Sequence, residues 1–245
     1  MLNSNIFVMI IAIFAALLPA GLLFRYIYRQ DSANPEPVKW LWKSVLYGVL
    51  SAIVAIFLAF PVSLILDKLQ LPGVLGSSIT AFFAAAIPEE AAKMLLLCLV
   101  LRKNPHFDEH LDGVVYATCV GLGFASFENI LYIIQNLSDF VLIAIMRGLF
   151  SVPAHFFLAV TMGYYISMAH FASVTVKQKR KYFLLAYFIP VVLHGIFDTL
   201  LLSTNAIPAV SGLIVLVFLY FCNRVRKASQ KRIQDLKNSD GNIAM

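Results

Sequence analysis

The chain has 245 residues, of which 60% are hydrophobic and only 13% are charged, and its formal net charge is +6. Soluble domains average roughly 25% charged residues, so this composition excludes an ordinary soluble domain and predicts a protein of the lipid bilayer. The positive charge does not indicate a nucleic-acid partner, because the basic residues flank apolar runs.

Seven apolar runs have lengths suited to membrane helices, for which about 20 residues suffice. The predicted spans are residues 5–27, 44–66, 75–101, 112–135, 140–171, 182–203 and 207–223. The N-terminus lacks the positive n-region of a signal peptide, so the first run is expected to remain as a membrane helix. We therefore expect an all-α polytopic bundle of about seven transmembrane helices in one domain, residues 1–223. A basic cytoplasmic tail, residues 224–245, is expected to be flexible or to form a short helix on the lipid surface.

Lysine and arginine collect at alternate ends of these spans. Of the 19 such residues, 16 lie after spans one, three and five or in the tail, and the opposite side carries only Lys68. The positive-inside rule then predicts an outside N-terminus and a cytoplasmic C-terminus. The fifth run is too long for an upright helix, at roughly 48 Å. We expect it to tilt, to kink at Pro153, or to begin as an interfacial segment up to Arg147.

Ionisable side chains inside spans are costly and normally face a functional interior. Span three contains Pro88-Glu89-Glu90-Ala91-Ala92-Lys93, in which Lys93 is within reach of either carboxylate. Later spans contribute Glu128, Arg147, His155, His194 and Asp198. At the helical rise, Glu90 and His194 are roughly 18 Å and 20 Å from the cytoplasmic edge. Acids and imidazoles from four helices are thus predicted to share one layer.

The surroundings of these groups carry further predictions. A stripe of small residues, Ala117, Gly121 and Ala125, leads to Glu128 and allows a neighbouring backbone to approach. Prolines close before Glu89, His155 and His194 are expected to widen their helices locally. Arg147 is expected to snorkel outward or to pair with Asp139. His106, His110 and His170 are expected to be solvated at the cytoplasmic face.

Two chemistries suit the intramembrane groups, and each attacks an amide. In the first, zinc binds a water in its open position while a spare glutamate is the general base. The predicted zinc ligands are Glu90, Glu128, His155 and His194. In the second, a glutamate activates water directly, and a histidine with Asp198 stabilises the oxyanion. Four acids against Lys93 and Arg147 leave two surplus negative charges, which favours a divalent cation.

Four motifs on successive spans resemble those of a known family. They are Glu89-Glu90-x-x-Lys93, Phe124-x-x-x-Glu128-Asn129, Pro153-x-His155 and His194-x-x-x-Asp198. Together they resemble the PrsW intramembrane proteases, relatives of the CAAX-type prenyl endopeptidases and of the Abi bacteriocin-immunity proteins. The match covers residues 88–198. It departs from the CAAX-type relatives at Glu128, where they carry a histidine. Their mechanism, including a metal-free one, therefore does not transfer directly to this chain, and the zinc question stays open.

The resemblance implies a multi-pass protease of the bacterial cell membrane. Its substrate would be a single-pass membrane protein, namely an anti-sigma factor whose first, outward-side cleavage starts a stress response. The residues carried over as catalytic are Glu89, Glu90, Glu128, His155, His194 and Asp198. Because Glu128 is about 12 Å from the outer edge, we expect cleavage near the outer membrane boundary.

Two other classes remain as alternatives. A seven-span zinc amidase of the alkaline-ceramidase type would share the His/Asp set, but its motifs lack the paired Glu89-Glu90. A cation or proton transporter would also bury carboxylates and histidines, but the hydropathy shows no inverted repeat.

Overall fold

A computed structural model describes residues 2–32, 34–206 and 211–243, and these residues form helices and no strand. The helices are α1 (Leu2–Gln30), α2 (Val38–Leu69), α3 (Gly73–Ile79), the π-helix π1 (Thr80–Ala86), α4 (Ile87–Leu101), α5 (Asp112–Gln135), α6 (Phe140–Met146), the π-helix π2 (Arg147–Ser151), α7 (Val152–His170), α8 (Val176–Ala206) and α9 (Ser211–Ile243). A short 3₁₀ turn, Leu137–Asp139, precedes α6.

The elements α3, π1 and α4 follow one another without a break, as do α6, π2 and α7, so the described residues form seven continuous rods. Five of these rods are long and apolar enough to cross a membrane by length and composition. The other two contain the charged Glu89-Glu90-Lys93 stretch and the basic end of α9. The prediction of an all-α, polytopic membrane bundle is confirmed. Residues 207–210, the predicted start of the seventh span, and residues 244–245 lie outside the described residues.

The long fifth run is one rod whose hydrogen bonding changes partway along. α6 ends at Met146, π2 follows from Arg147, and α7 begins at Val152, just before Pro153. The change therefore lies where the sequence placed either a kink or an interfacial boundary. A comparable π-helical segment, π1, precedes Pro88 in the third rod.

Helix α5 lies at the centre of the bundle, between α2, α7 and α1. Its side chains Tyr116, Val114 and Val120 are among the largest that are fully buried. Glycines allow the close approach: a Cβ at Gly121 would lie 2.7 Å from the Ala159 Cβ and 3.2 Å from the His155 carbonyl oxygen. The small-residue stripe predicted in this span therefore brings α5 against the backbone of α7 beside His155.

The basic end of the chain is helical and packs on the bundle. Residues 224–243, expected to be flexible or bound to the lipid surface, continue α9 without a break. Arg232 donates a hydrogen bond to Thr161 at 3.0 Å, and Lys237 donates one to Gln30 at 3.2 Å. Asp240 accepts hydrogen bonds from the backbone N–H of His110 at 2.8 Å. The polar face of α9 thus joins the end of α1 and the middle of α7 to the loop before α5.

Candidate active site

The Lys93 ammonium lies among three of the predicted site residues. Its Nζ is 2.8 Å from Glu90 Oε1, 3.3 Å from Glu89 Oε2 and 3.1 Å from His155 Nδ1. It also lies 3.8 Å from the centroid of the Phe124 ring, a cation–π contact. One helical turn of α4 therefore presents both carboxylates to the same buried ammonium, as their i,i+3 and i,i+4 spacing predicts.

His194 on α8 connects the two glutamates to Asp198. Its Nδ1 is 2.9 Å from Glu90 Oε1, and its Nε2 is 3.3 Å from Asp198 Oδ2 and 3.9 Å from Glu89 Oε2. The imidazole is buried among these three carboxylates. Nδ1 is therefore held by Glu90, while Nε2 faces Asp198 and Glu89.

His155 on α7 makes the corresponding connection to α5. Its Nε2 is 2.9 Å from Glu128 Oε2, and the same oxygen accepts a hydrogen bond of 2.7 Å from Arg147. Arg147 also donates from Nε to the Asn129 side chain at 2.7 Å. Arg147 was expected to snorkel outward or to pair with Asp139; instead it turns into the bundle and forms an ion pair with Glu128.

The structure brings all six predicted catalytic residues into one connected network. A cavity of about 260 Å³ opens beside it. The cavity is lined by Thr80, Ala81, Ala84, Ala85, Glu89, Glu128, Tyr132, Arg147, Ser151, Ala154, His155, Leu158, His194, Phe197, Asp198, Leu201 and Leu202. Tyr132 and Leu201 are near the C-terminal ends of α5 and α8, which the charge pattern assigns to the outer side. Glu90 and Lys93 are not part of the lining, and both side chains are almost fully buried.

Local irregularity in the helices positions two of the site residues. Glu89 and His155 each come three or four residues after a π-helical segment, and each follows a proline at the second position of its α-helix. Proline has no backbone N–H to donate to the carbonyl four residues earlier. It is tolerated at these positions because the preceding π-helical segment has already changed the backbone hydrogen-bond pattern. Pro190 instead lies inside α8, upstream of His194, with no π-helical segment. The predicted widening near proline is thus present at two of the three sites.

Three side chains offer ligand atoms that lie within 4.8 Å of one another: Glu89, His155 and His194. This set of one carboxylate and two imidazoles matches a known class of catalytic zinc site. Glu90 hydrogen-bonds to His194 Nδ1, the position from which a carboxylate orients a metal-binding imidazole, whereas Glu128 hydrogen-bonds to His155 Nε2 and lines the cavity. The donor atoms of Glu89, His155 and His194 therefore fit zinc, and the assignment of Glu90 and Glu128 as ligands stays a prediction.

Charge in the network also fits a divalent cation. The carboxylates of Glu89, Glu90, Glu128 and Asp198 are accompanied by two fixed positive charges, on Lys93 and Arg147. Glu90 Oε2 is buried and has no hydrogen-bond partner within the described part of the chain. The surplus of two negative charges that the sequence indicated is thus concentrated around one cavity.

Two residues of the site were not assigned a role from the sequence. Asn129 accepts from Arg147 and donates to the Ala16 carbonyl at 2.7 Å, which ties α1 to the site. Tyr132 lies one turn beyond Glu128, and its ring centroid is 4.0 Å from the Arg147 guanidinium carbon. The Glu128-Asn129 pair and the helical spacing to Tyr132 were visible in the sequence, but the partner of Arg147 was not.

A bundle of membrane helices around a cavity of about 260 Å³ lined by glutamates and histidines is typical of an intramembrane hydrolase. The chain belongs to the PrsW family: the family described as "PrsW family intramembrane metalloprotease" matches residues 36–223. It is therefore a multi-pass bacterial membrane protein and an intramembrane peptidase, and its substrate class is membrane protein.

Similarity to curated relatives extends over most of the chain. Protease PrsW of Geobacillus kaustophilus is 35% identical over 219 residues, covering 89% of this chain and 91% of the relative. Protease PrsW of Bacillus subtilis is 32% identical over 215 residues, covering 87% and 94%. Protease PrsW of Clostridioides difficile is 35% identical over 188 residues, covering 76% and 77%. No solved structure matches the chain.

Proposed function

We propose that this peptidase makes the first cut in a single-pass anti-sigma factor, near the outer membrane boundary, and uses zinc. The observation that carries the proposal is the convergence of Glu89, Glu128, His155 and His194, from four helices, on one cavity. The anti-sigma substrate rests on the motif resemblance, and the position of the cut rests on the cavity and the predicted topology.

Glu128 is the proposed general base. Its Oε2 accepts from Arg147 and His155, while Oε1 has no hydrogen bond among the described contacts and the side chain lines the cavity. In the proposed reaction Oε1 takes a proton from water and later delivers it to the leaving amine. Arg147 lines the same cavity and supplies positive charge for the oxyanion.

Glu89, His155 and His194 are the proposed zinc ligands. Zinc at such a site supplies a water of lowered pKa and polarises the scissile carbonyl. Glu90 orients one of these ligands: its hydrogen bond to His194 Nδ1 holds the imidazole so that Nε2 faces the cavity. Lys93 donates a hydrogen bond of 2.8 Å to Glu90 and holds this carboxylate in place.

The position of the cut follows from the direction of the cavity. Its lining runs from Glu89 toward Tyr132 and Leu201, at helix ends assigned to the outer side by the basic residues. A peptide bond within hydrocarbon is normally held in a helix, so hydrolysis requires an unwound or juxtamembrane segment. The scissile bond is therefore expected at or just outside the outer boundary of the substrate's membrane helix.

The proposal is tested in proteoliposomes with a single-pass anti-sigma factor as substrate. Glu89→Ala and Glu90→Ala should each abolish cleavage while the protein still inserts, and Asp139→Asn, an exposed acid away from the site, should cleave normally. Mass spectrometry of the products should place the cut near the outer boundary. Retained activity in both glutamate variants would show that this stretch is structural, and a cut at the cytoplasmic boundary would contradict the orientation.

The metal and the class of reaction are tested separately on the purified protein. Elemental analysis should find zinc in the wild-type chain, and the amount should fall in His194→Ala. An inactive protein without zinc that recovers with zinc supports the ligand set, whereas full activity without metal supports direct activation of water by glutamate. Hydrolysis of a lipid amide, or ion flux without cleavage, would instead identify one of the two alternative classes.

A further inference from the structure

A second cluster of carboxylates lies at the cytoplasmic end of the bundle, far along the helices from the active site. Asp31 and Glu36 come from the loop between α1 and α2, and Asp108, Glu109 and Asp112 come from the loop before α5 and its first residue. Two overlapping triads have ligand oxygens within 4.8 Å of one another. They are Asp31 with Glu109 and Asp112, and Glu36 with Asp108 and Asp112.

Burial makes three of these five carboxylates costly, whereas Asp108 is exposed and Glu109 is half-buried. Asp112 is 0% exposed, Asp31 is 2% exposed and Glu36 is 4% exposed. Among the described residues, no lysine or arginine forms an ion pair with any of the five acids. The hydrogen-bond donors to the two loop acids are neutral: the Tyr116 hydroxyl donates to Glu36, and the backbone N–H of Glu36 donates to Asp31 at 3.1 Å. Lys237 is close enough to attract Asp31 but forms its hydrogen bond with Gln30. Buried carboxylates without a positive partner are strongly destabilising.

Asp112 has an oxygen that the surrounding protein leaves without a partner. Its Oδ2 accepts hydrogen bonds from the backbone N–H groups of Asp108 at 2.9 Å and Glu109 at 2.6 Å. Its Oδ1 is buried and has no hydrogen-bond partner within the described ranges. Asp112 also belongs to both triads, so its carboxylate lies between the two sets of acidic side chains.

The oxygen-only donor set points to a hard cation. Calcium takes six to eight oxygen ligands at about 2.3–2.6 Å, and magnesium is bound by carboxylates together with water. Oxygens on opposite sides of a calcium ion are about 4.8 Å apart by the same distances. The donors lack nitrogen and sulfur, which distinguishes this cluster from the proposed zinc site.

We propose that the acidic cluster of Asp31, Glu36, Asp108, Glu109 and Asp112 binds one Ca²⁺ or Mg²⁺ ion. The ion joins the loop between α1 and α2 to the loop before α5. The same loop is held by α9, since Asp240 accepts from the backbone N–H groups of His110 and Leu111. His110 was expected to be solvated, but its Nδ1 lies 2.8 Å from Asp240. Cation binding therefore fastens the cytoplasmic ends of α1, α5 and α9 together.

A proton is the rival occupant of the cluster. Burial, followed by the neighbouring Asp112, raises the pKa of Glu36 to about 9. Without a cation, Glu36 would keep its proton at neutral pH and share it within the cluster. The two states differ in their response to added metal, because only the cation-bound state is stabilised by Ca²⁺ or Mg²⁺.

The test is a titration of the purified full-length protein, treated with chelator, with Ca²⁺ and Mg²⁺ separately. Calorimetry should show one saturable site per chain, and the preferred ion should raise Tm. Asp112→Asn should weaken binding at least about tenfold, because it removes the shared ligand. Asp139→Asn, an exposed acid outside the cluster, is the matched control. Glu89→Gln should bind the ion normally, which separates this site from the catalytic one.

Each other outcome has a defined meaning. No saturable binding of either ion, or binding that is unchanged in Asp112→Asn, would overturn the proposal and leave the proton as the occupant. Binding that is lost in Glu89→Gln instead would place the ion at the active site. If Asp112→Asn does not fold, Glu36→Gln and Asp31→Asn provide the same comparison, and both must weaken binding for the proposal to stand.

Discussion

Replacing Lys93 by methionine should destabilise the protein strongly, because it leaves the carboxylates of Glu89 and Glu90 without their shared ammonium. The Nζ–Oε distances are 2.8 Å to Glu90 and 3.3 Å to Glu89. At an effective dielectric constant of about 20, Coulomb's law gives roughly 6 and 5 kcal/mol for these contacts. Desolvation of the ammonium offsets much of this, and breaking a buried pair from one side typically costs about 3–5 kcal/mol.

A second substitution separates the charge effect from loss of packing. In Lys93→Met with Glu90→Gln, one negative charge is removed together with the positive one, so a substantial part of the lost stability should return. Activity should not return, because Glu90 no longer orients His194. Lys68→Met, at an exposed lysine in the last turn of α2, is the control and should change stability by less than about 0.5 kcal/mol.

The measurement is the free energy of unfolding of each variant in one mixed-micelle system, analysed as a double-mutant cycle. Cleavage is assayed on the same preparations. A loss below about 1 kcal/mol in Lys93→Met would refute the idea that Lys93 is the counterion of this network. A double variant less stable than either single variant would refute the charge argument in a different way, because it would show that the side chains stabilise independently.

Two further predictions concern packing and topology. Gly121→Ala should lower cleavage by at least about tenfold, because the added methyl group forces α7 and its histidine away from α5. The control is Gly21→Ala, which should leave cleavage unchanged because a Cβ at that position meets nothing within 4 Å. Normal activity in Gly121→Ala would mean that the helices give way without moving the site. Single cysteines at positions 68 and 139, in a cysteine-free background, should react with an impermeant thiol reagent from outside, and one at position 179 should not. Outside labelling at 179 would invert the predicted orientation and the proposed side of cleavage.

The layer of acids and imidazoles was predictable because three simple regularities act together. Hydropathy marks each span, the basic residues fix the direction of each span, and helical rise converts sequence separation into depth. Glu128 and His155 are far apart in sequence, yet their side chains form a hydrogen bond of 2.9 Å. The estimated depths were enough to predict that both side chains lie in the same layer of the membrane, because both helices were predicted as membrane spans.

The rotation of each helix about its axis was not predictable, and it decides which glutamate faces the cavity. Glu89 and Glu90 are adjacent, so their side chains point about 100° apart around α4. Glu89 lines the cavity, whereas Glu90 is fully buried behind it. The sequence treats the two as equivalent, and only tertiary packing distinguishes a candidate ligand from a residue that orients one.

Partners from distant parts of the chain were also beyond the sequence. Arg147 has Asp139 as a close acidic neighbour in sequence, but its ion pair is with Glu128 on another helix. The polar composition of the basic end of α9 predicts a solvated segment. In the structure, Arg232 hydrogen-bonds to α7 and Lys237 hydrogen-bonds to α1. The surface that a polar helix contacts is encoded elsewhere in the chain.

The two π-helical segments make the angular setting of this site sensitive to insertions and deletions. Each α-helical residue turns the chain by about 100°, so deleting one residue from Thr80–Ala86 would turn Glu89 away from the cavity or slide α3 along its neighbours. The same holds for Arg147–Ser151 and His155. A helix that lost its π-helical segment would need its carboxylate or imidazole one position along the chain to meet the same cavity. Gaps in these two stretches of an alignment of homologues should therefore coincide with shifted, not missing, site residues.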